Sequence, residues 1–213
     1  MSLDPRLPNA AALTAFLGSS DVPAPDGGFL PEDLAAAIGA AAELAEELTG
    51  WTPLLTAARS IQIPPPPGGS RPGEWPAAGR TKVRLASPVA GGITLSAAGA
   101  PAMTGNWSLG GALGLDGPYT LLTLFTQPRG ALTLTGTIGR WATLPGPVMQ
   151  ALLKLAGAWF LSKRREGLLA EGLASWEEGG VKETRGYEMT TSLGEGWQGE
   201  AETTLARYAR VQF

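Results

Sequence analysis

Carboxylates, lysines, arginines and hydroxyls are the side chains with which this chain of 213 residues could do chemistry, because it contains neither cysteine nor histidine. Without cysteine there is no disulfide, no thiol nucleophile and no thiolate metal site. Without histidine there is no Ser-His-Asp triad and no imidazole base or metal ligand. Most hydrolytic and redox sites are therefore excluded, whereas a site built on carboxylates or lysine remains possible.

The acidic residues are poorly placed for such a site. Glu74 and Asp116 are the only acids between residues 51 and 165, and Glu177-Glu178 stands next to glycines, as in a solvated turn. The glycines of residues 111–117 lack the dinucleotide-binding spacing, and no P-loop or G-x-S-x-G motif is present. We therefore expect no enzymatic activity, no cofactor and no metal.

The net charge of -3 conceals three blocks of alternating sign. Residues 1–50 carry a net charge of -7, residues 51–165 carry +9 and residues 166–213 carry -5. This segregation fits a basic surface that faces nucleic acid or the acidic part of a neighbouring copy, and it fits equally a fold in which the blocks neutralise one another. The overall negative charge argues against sequence-specific DNA recognition but leaves weak, non-specific contact with DNA open.

Start and stop signals predict two helices in the first fifty residues. Asn9 is typical of an N-cap, and the short helix that it begins should end near Gly18. Pro31 opens a longer helix that Gly50 ends. Its apolar residues recur every three or four positions and form one stripe: Leu34, Ile38, Ala41, Ala45 and Leu48.

A period of two then predicts strands. Residues 55–63 should form one strand, and residues 64–79, in which ten of sixteen are proline or glycine, should form an exposed loop. From Thr81 to Ile138 the pattern predicts a meander of about five strands, with a turn at Gly91-Gly92. In residues 132–138, leucine and isoleucine alternate with threonine, which predicts one apolar face and one hydroxyl face.

The C-terminal third begins with a strongly apolar helix, from Pro147 to the basic residues 163–165. Two adjacent faces are apolar, and such a helix should be buried on more than one side, by its own domain and by another subunit. The faces consist of Val148, Leu152, Leu155 and Trp159, and of Met149, Leu153, Ala156 and Phe160. Short strands at 181–184 and 187–192 and a short helix at 198–210 should follow.

These elements predict an α+β fold, a small bundle of two main helices and short terminal helices with an inserted antiparallel β meander or arm. We expect residues 1–213 to form a single domain. Its helical core would comprise about 9–50 and 146–166, its β region about 55–138 and its C-terminal extension about 167–213. No apolar run reaches the length of a membrane span.

Three motifs occur in a characteristic order. The second helix ends in Leu-Thr-Gly50-Trp51, and the last strand continues through Gly139-Arg-Trp141-Ala-Thr-Leu-Pro145 into the apolar helix. The tail contains Gly180-Val-Lys-Glu-Thr-Arg-Gly186, followed by a final helix with Leu205-Ala-Arg-Tyr208-Ala-Arg210. Over residues 30–62 and 80–213 the chain thereby resembles the head–tail connector (adaptor or head-completion) proteins of long-tailed bacteriophages, with the proline-rich stretch as an apparent insertion.

The resemblance implies a non-enzymatic virion protein, made in the host cytoplasm and located in the neck between head and tail. It implies a ring, usually dodecameric, beneath the portal that extends the DNA channel and receives the next neck or tail protein. The implied partners are other copies of the chain, the portal, that downstream protein and double-stranded DNA that passes without sequence recognition. No membrane is involved.

The resemblance also suggests roles for particular residues. The C-terminal segment would dock on the portal through Leu205, Tyr208, Arg210 and Phe213. We expect the core and the seam between subunits to be packed by Leu152, Leu155, Trp159 and Phe160. The DNA channel would be faced by a subset of the central cations, with Lys82, Arg84, Arg129 and Arg140 as candidates.

Three alternatives remain open. One is another neck protein, such as a tail-completion or stopper protein. Whether the purified chain binds portal or tail-tube protein would distinguish this role from that of a connector. Another is a carbohydrate-binding β module whose stacking platform consists of Trp51, Trp75, Trp107 and Trp141. The third is a carboxylate-based hydrolase, for which the sequence offers no convincing acid pair. For the connector hypothesis, truncation after Gly194 should abolish portal binding and leave the helices folded.

Overall fold

The computed structural model describes residues 4–20, 22, 28–66, 75, 81–97, 101–112, 118–128, 130–170 and 184–209. These residues form four helices and a five-stranded antiparallel sheet, which confirms the predicted α+β class. The chain divides into a helical unit, residues 1–50 and 143–213, and a sheet unit, residues 51–142. That both units belong to one connector domain stays a prediction.

The first two helices confirm the sequence signals at their ends. Helix α1 spans Ala10–Ser19, and the Asn9 side chain accepts a hydrogen bond from the Ala12 amide at 2.8 Å. Helix α2 spans Pro31–Thr49 and ends at Gly50, which has the left-handed conformation with φ of 67°. Both helices turn their apolar stripes inward, where residues such as Leu13 and Ile38 are buried.

The other two helices are longer than predicted. Helix α3 spans Gly146–Ala170, and helix α4 spans Thr184–Ala206. The predicted strand at 187–192 is therefore wrong, and residues 181–183 lie outside the described residues. Several glycines lower the helix propensity of this segment, by about 1 kcal/mol each relative to alanine. The packing of α4 against α3 overcomes that preference, because the chain buries Trp197, Ala201 and Leu205 at four-residue intervals.

Within the helical unit, α3 contacts α1, α2 and α4. Gly157 permits the closest approach: a Cβ built there would lie 2.8 Å from the ring of Trp197 and 3.1 Å from that of Phe16. The same two rings pack against each other with centroids 4.8 Å apart. Across the described residues, no helix is long and apolar enough to cross a membrane.

The sheet has the strand order β1-β5-β2-β4-β3. This order differs from a simple meander, because β2 lies between β5 and β4. The N-terminal part of β2 pairs with β4, as at Lys82 and Thr123, and its C-terminal part pairs with β5, as at Leu95 and Leu134. The strands are β1 Ala57–Ile63, β2 Thr81–Ala97, β3 Trp107–Ala112, β4 Tyr119–Leu124 and β5 Leu132–Ile138.

Strand β2 is continuous through Gly91 and Gly92, where the sequence predicts a turn. Its pairing with β5 shifts register on both sides of Gly91, which is the mark of a bulge. The bulge passes close over β5: a Cβ at Gly136 would lie 3.0 Å from the Gly91 carbonyl oxygen. The bulge, in which Gly92 has a left-handed φ of 61°, therefore bends one long strand and lets it pair on both edges in a curled sheet.

The core of the sheet unit follows the alternation seen in the sequence. In β5 the leucines and Ile138 are buried, whereas Thr133 and Thr137 are half-buried and Thr135 is exposed. Trp75 also belongs to this core with 0% of its surface exposed, and its indole nitrogen donates to the Gly130 carbonyl oxygen at 2.7 Å. The prediction of an exposed loop at 64–79 is thus wrong at Trp75, while residues 67–74 and 76–80 lie outside the described residues.

Candidate functional site

The segment that follows β5 is fixed by backbone hydrogen bonds within the sheet unit. Residues 139–141 donate to a neighbouring segment on each side, and Trp141 forms a bridge with Leu55. The bonds run from the amides of Gly139, Arg140, Trp141 and Thr56 to the carbonyls of Pro88 (2.8 Å), Pro53 (3.1 Å), Leu54 (2.9 Å) and Trp141 (2.8 Å). The direction of the Arg140 side chain is therefore set by the sheet.

Gly139 is needed for this geometry. Its φ of 141° lies in a region that side-chain-bearing residues rarely adopt. A Cβ at this position would overlap the Leu55 carbonyl and would lie 2.6 Å from the Thr56 Cα. The glycine in the Gly139-Arg140-Trp141 motif thus allows the chain to cross residues 55–56 and place the arginine beyond them.

The Arg140 guanidinium lies between two indole rings. Its central carbon is 5.4 Å from the ring centroid of Trp51 and 5.3 Å from that of Trp141, which are cation–π distances. Its Nε is buried and has no hydrogen-bond partner in the described part of the chain. Burial lowers the pKa of Arg140 from its ordinary value, yet an arginine stays protonated at neutral pH.

This arrangement can hold an anion. A guanidinium offers its donors in a planar fork that matches a carboxylate or a phosphate, and the flanking rings restrict its rotation. The residue remains partly exposed, so a group from outside the chain can reach it. The two acids of the sheet unit, Glu74 and Asp116, both lie outside the described residues.

The predicted channel cations do not form one cluster. Lys82 and Arg84 are exposed two residues apart, on one face of β2, in the part that pairs with β4. Arg140 follows β5, which pairs with the other part of β2. Arg129 lies outside the described residues. The structure therefore separates a small basic patch, Lys82 and Arg84, from the arginine between the two tryptophans.

The predicted subunit-packing residues lie mainly in the core of their own chain. Leu152, Leu155 and Phe160 are buried, and the Phe160 ring packs edge-on against Phe29 with centroids 5.5 Å apart. The expected packing of the core is thus confirmed for these three residues, since α3 contacts α1, α2 and α4, whereas their place in a seam between subunits stays a prediction. Trp159 is half-buried, with the Lys163 ammonium 5.9 Å from its ring centroid.

The predicted portal-docking residues also divide. Leu205 is 0% exposed in the helical core, so it has no surface to offer a partner, which corrects its assignment. Tyr208 is half-buried just beyond α4, and its amide donates to the Leu205 carbonyl at 2.8 Å. Arg210 and Phe213 lie outside the described residues. Of this set, Tyr208 is the described residue that keeps some exposed surface.

The helical core also corrects the truncation experiment suggested by the sequence. Cutting the chain after Gly194 would remove Trp197, Ala201 and Leu205, which are buried. It would also remove Glu200, whose carboxylate forms an ion pair with Lys154 on α3. We therefore expect this truncation to unfold the helical unit rather than to leave it intact.

The tryptophan platform of the carbohydrate-binding alternative is wrong for two of its four members. Trp75 is buried in the sheet core, and Trp51 is only 3% exposed beside Arg140. Trp107 is half-buried, and its indole nitrogen donates to the Met103 carbonyl oxygen at 2.9 Å. A sugar ring cannot stack on rings that the protein itself covers.

Sequence reasoning found Arg140 but missed its two partners. Trp51 and Arg140 are far apart along the chain, and their contact depends on the crossing at Gly139. The adjacent motif Arg140-Trp141 was a visible signal, whereas the position of Trp51 was not. Gly157 and Trp197 were likewise missed, because a glycine within a helix has no pattern that reveals which helix lies against it.

The fold of this chain has a structural neighbour among solved structures. No protein-family model matches the chain, and no curated protein matches it. Among solved structures, the chain is similar to one in the structure described as "Neck of empty GTA particle computed with C6 symmetry". The alignment covers 93% of each chain at 18% sequence identity, with a TM-score of 0.49.

Proposed function

We propose that this protein is a structural component of the neck of a phage-like particle, and that it acts by assembly rather than by catalysis. The observation that supports this proposal is the arrangement of the two connector-like motifs. Gly50-Trp51 and Gly139-Arg140-Trp141 stand where the chain leaves and re-enters the helical unit, and both supply a tryptophan to Arg140. Residues from two of the three motifs that carry the resemblance thus meet in the sheet unit.

In this proposal the protein forms a homo-oligomeric ring beneath the portal, extends the DNA channel and receives the next neck or tail protein. The charges of the two units support it. The helical unit has a net charge of -8 and the sheet unit +5, which suits head-to-tail contacts between copies. Lys82 and Arg84 are exposed and suited to non-specific contact with the DNA backbone.

Portal docking is assigned to the end of the chain, at Tyr208, Arg210 and Phe213. This assignment is tested by co-purification of the tagged protein with the portal protein of the same particle. We expect deletion of residues 210–213 together with Tyr208→Ala to weaken portal binding at least tenfold. Circular dichroism should show unchanged helix content, because α4 and its buried residues are retained.

Two further variants of the protein serve as controls for the portal-binding experiment. Arg59→Glu, at an exposed position of β1, should bind portal as the wild type does, whereas truncation after Gly194 should lose helical structure altogether. If the chain without residues 210–213 and with Tyr208→Ala binds portal normally, the docking assignment is wrong. If the wild type binds tail-tube protein and not portal, the protein is a tail-completion or stopper protein.

A further inference from the structure

Arg140 carries a charge that the described part of its chain leaves without an anion. Its contacts there are two aromatic rings, and its buried Nε donates to no acceptor. A charge that is removed from water is normally paired, because desolvation is costly unless an opposite charge offsets it. The fixed, partly exposed guanidinium therefore suits an anionic group that arrives from another molecule.

In the described part of the chain, helix α2 carries two carboxylates without a cation, which is the reverse of the situation at Arg140. Glu43 and Glu47 are exposed, and they stand one helical turn apart on the same face. They lie in the last two turns of α2, where the helix dipole disfavours negative charge, and the last turn contains no basic residue. Among the described residues neither of these carboxylates has a cationic partner. A cation from another molecule would relieve both the mutual repulsion and the unfavourable dipole.

We propose that Arg140 of one copy binds the carboxylates of Glu43 and Glu47 on the next copy of this chain. The contact is heterologous, because it joins the sheet unit of one subunit to the helical unit of its neighbour, and repetition of such a contact can close a ring. This inference rests on the proposed self-assembly and names the residues that would carry it.

A carboxylate fits Arg140 better than a DNA phosphate does. Non-specific DNA binding uses several cations along the backbone of the nucleic acid. The exposed pair Lys82 and Arg84 lies on the part of β2 that pairs with β4, whereas Arg140 follows β5, so these cations do not form one row with Arg140. The opposite net charges of the two units favour a protein partner that carries the acidic unit. The fork of Arg140 can also engage two oxygens at once, as an acidic helix face offers.

The experiment uses charge reversal in full-length chains, with self-association measured by analytical ultracentrifugation. The first variant is Arg140→Glu, and the second is Glu43→Arg combined with Glu47→Arg. Each variant alone should self-associate at least tenfold more weakly than the wild type, because like charges would meet at every interface. An equimolar mixture of the two should recover wild-type association, because alternating copies would place opposite charges at every interface.

Matched controls separate this contact from general charge effects. Arg59→Glu in the sheet unit and Glu195→Arg on α4 reverse exposed charges outside the proposed contact, and both should associate as the wild type does. A single chain that carries all three reversals should also recover association. If that chain recovers and the mixture does not, Arg140 and the two glutamates pair within one chain, and the inference is wrong.

The other possible outcomes distinguish failure of the Arg140 contact from failure of the proposed ring. If the wild type associates and either variant associates as strongly, the inference fails while the proposed ring survives. If the wild type stays monomeric at every concentration, both the proposed self-assembly and the inference fail. Should Arg140→Glu prove unfolded by circular dichroism, Arg140→Gln replaces it: it should weaken association in a wild-type background. In the Glu43→Arg, Glu47→Arg background the same change should partly restore association, because it removes a repulsion between like charges, and an added loss there would overturn the pairing.

Discussion

Gly139 shows how one residue type can decide where a neighbouring side chain is placed. Its positive φ and its overlap with residues 55–56 exclude any Cβ, and the next residue is Arg140. The glycine of the Gly139-Arg140-Trp141 motif therefore acts through the path of the backbone and not through a side chain. Its effect on the proposed contact is to position Arg140 between Trp51 and Trp141.

Gly139→Ala should destabilise the sheet unit. An L side chain at this φ costs about 1–3 kcal/mol, and the overlap with the Thr56 Cα adds to that cost. The free energy of unfolding can be measured by denaturant titration followed through tryptophan fluorescence. Gly91→Ala is the matched control, because its Cβ would meet nothing within 4 Å, and it should change stability little. Equal stability of the two variants would contradict the conformation assigned to Gly139.

At the same scale, the sequence identified residue types better than it identified their neighbours. Arg140 was recognised as a candidate cation, but the proposed channel role did not foresee its two aromatic partners. Trp75 was assigned to an exposed loop because proline and glycine surround it, whereas its ring fills the sheet core. Burial of a large aromatic side chain outweighs the local preference of the flanking residues.

At the scale of elements, α3 shows why a helix that is apolar on two faces need not signal a subunit interface. It packs against α1, α2 and α4 of the same chain. The length of α4 was hidden from the sequence by its glycines, so the third covering helix was underestimated. With α4 in place, most of the apolar residues on these two faces are buried within the helical unit, and Met149 and Trp159 stay half-buried.

Two glycine substitutions in the helical unit should change stability in opposite directions. Gly157→Ala places a Cβ 2.8 Å from the Trp197 ring, and such overpacking costs about 1–3 kcal/mol. Gly199→Ala, on the open side of α4, meets nothing within 4 Å and should stabilise the helix by about 0.5–1 kcal/mol. Thermal unfolding monitored by circular dichroism would measure both. A stabilising Gly157→Ala would show that α3 and α4 do not pack as closely as described.

At the scale of the whole molecule, charge is divided between the two units rather than scattered. The sheet unit carries +5 and the helical unit -8, so in the proposed assembly the basic unit of one copy would meet the acidic unit of the next. Such complementarity favours association in a fixed direction over symmetric face-to-face pairing, in which like charges would meet.

Self-association of the wild type should weaken as salt is added. Electrostatic attraction between exposed charges is screened over about 10 Å at 0.1 M salt and about 3 Å at 1 M. Sedimentation at increasing sodium chloride concentrations would measure the effect, with circular dichroism as the control that each subunit stays folded. Association that strengthens with salt would instead indicate an apolar interface, and the charge-based arrangement would be wrong.

The sequence by itself determined the elements whose signals are local. Asn9, Pro31 and Gly50 mark the ends of α1 and α2, and the alternation in β5 fixes its two faces, because capping and side-chain period act within a few residues. It also excluded every chemistry that needs cysteine or histidine.

Only the tertiary structure decided which side chains and elements contact one another. It placed Trp75 in the sheet core, made α4 a long helix, removed Leu205 from the surface and brought Trp51 to Arg140. Each of these outcomes depends on contacts between residues distant in the chain. Burial of apolar surface there exceeds the small local preferences of glycine and proline, which are all that a single sequence displays.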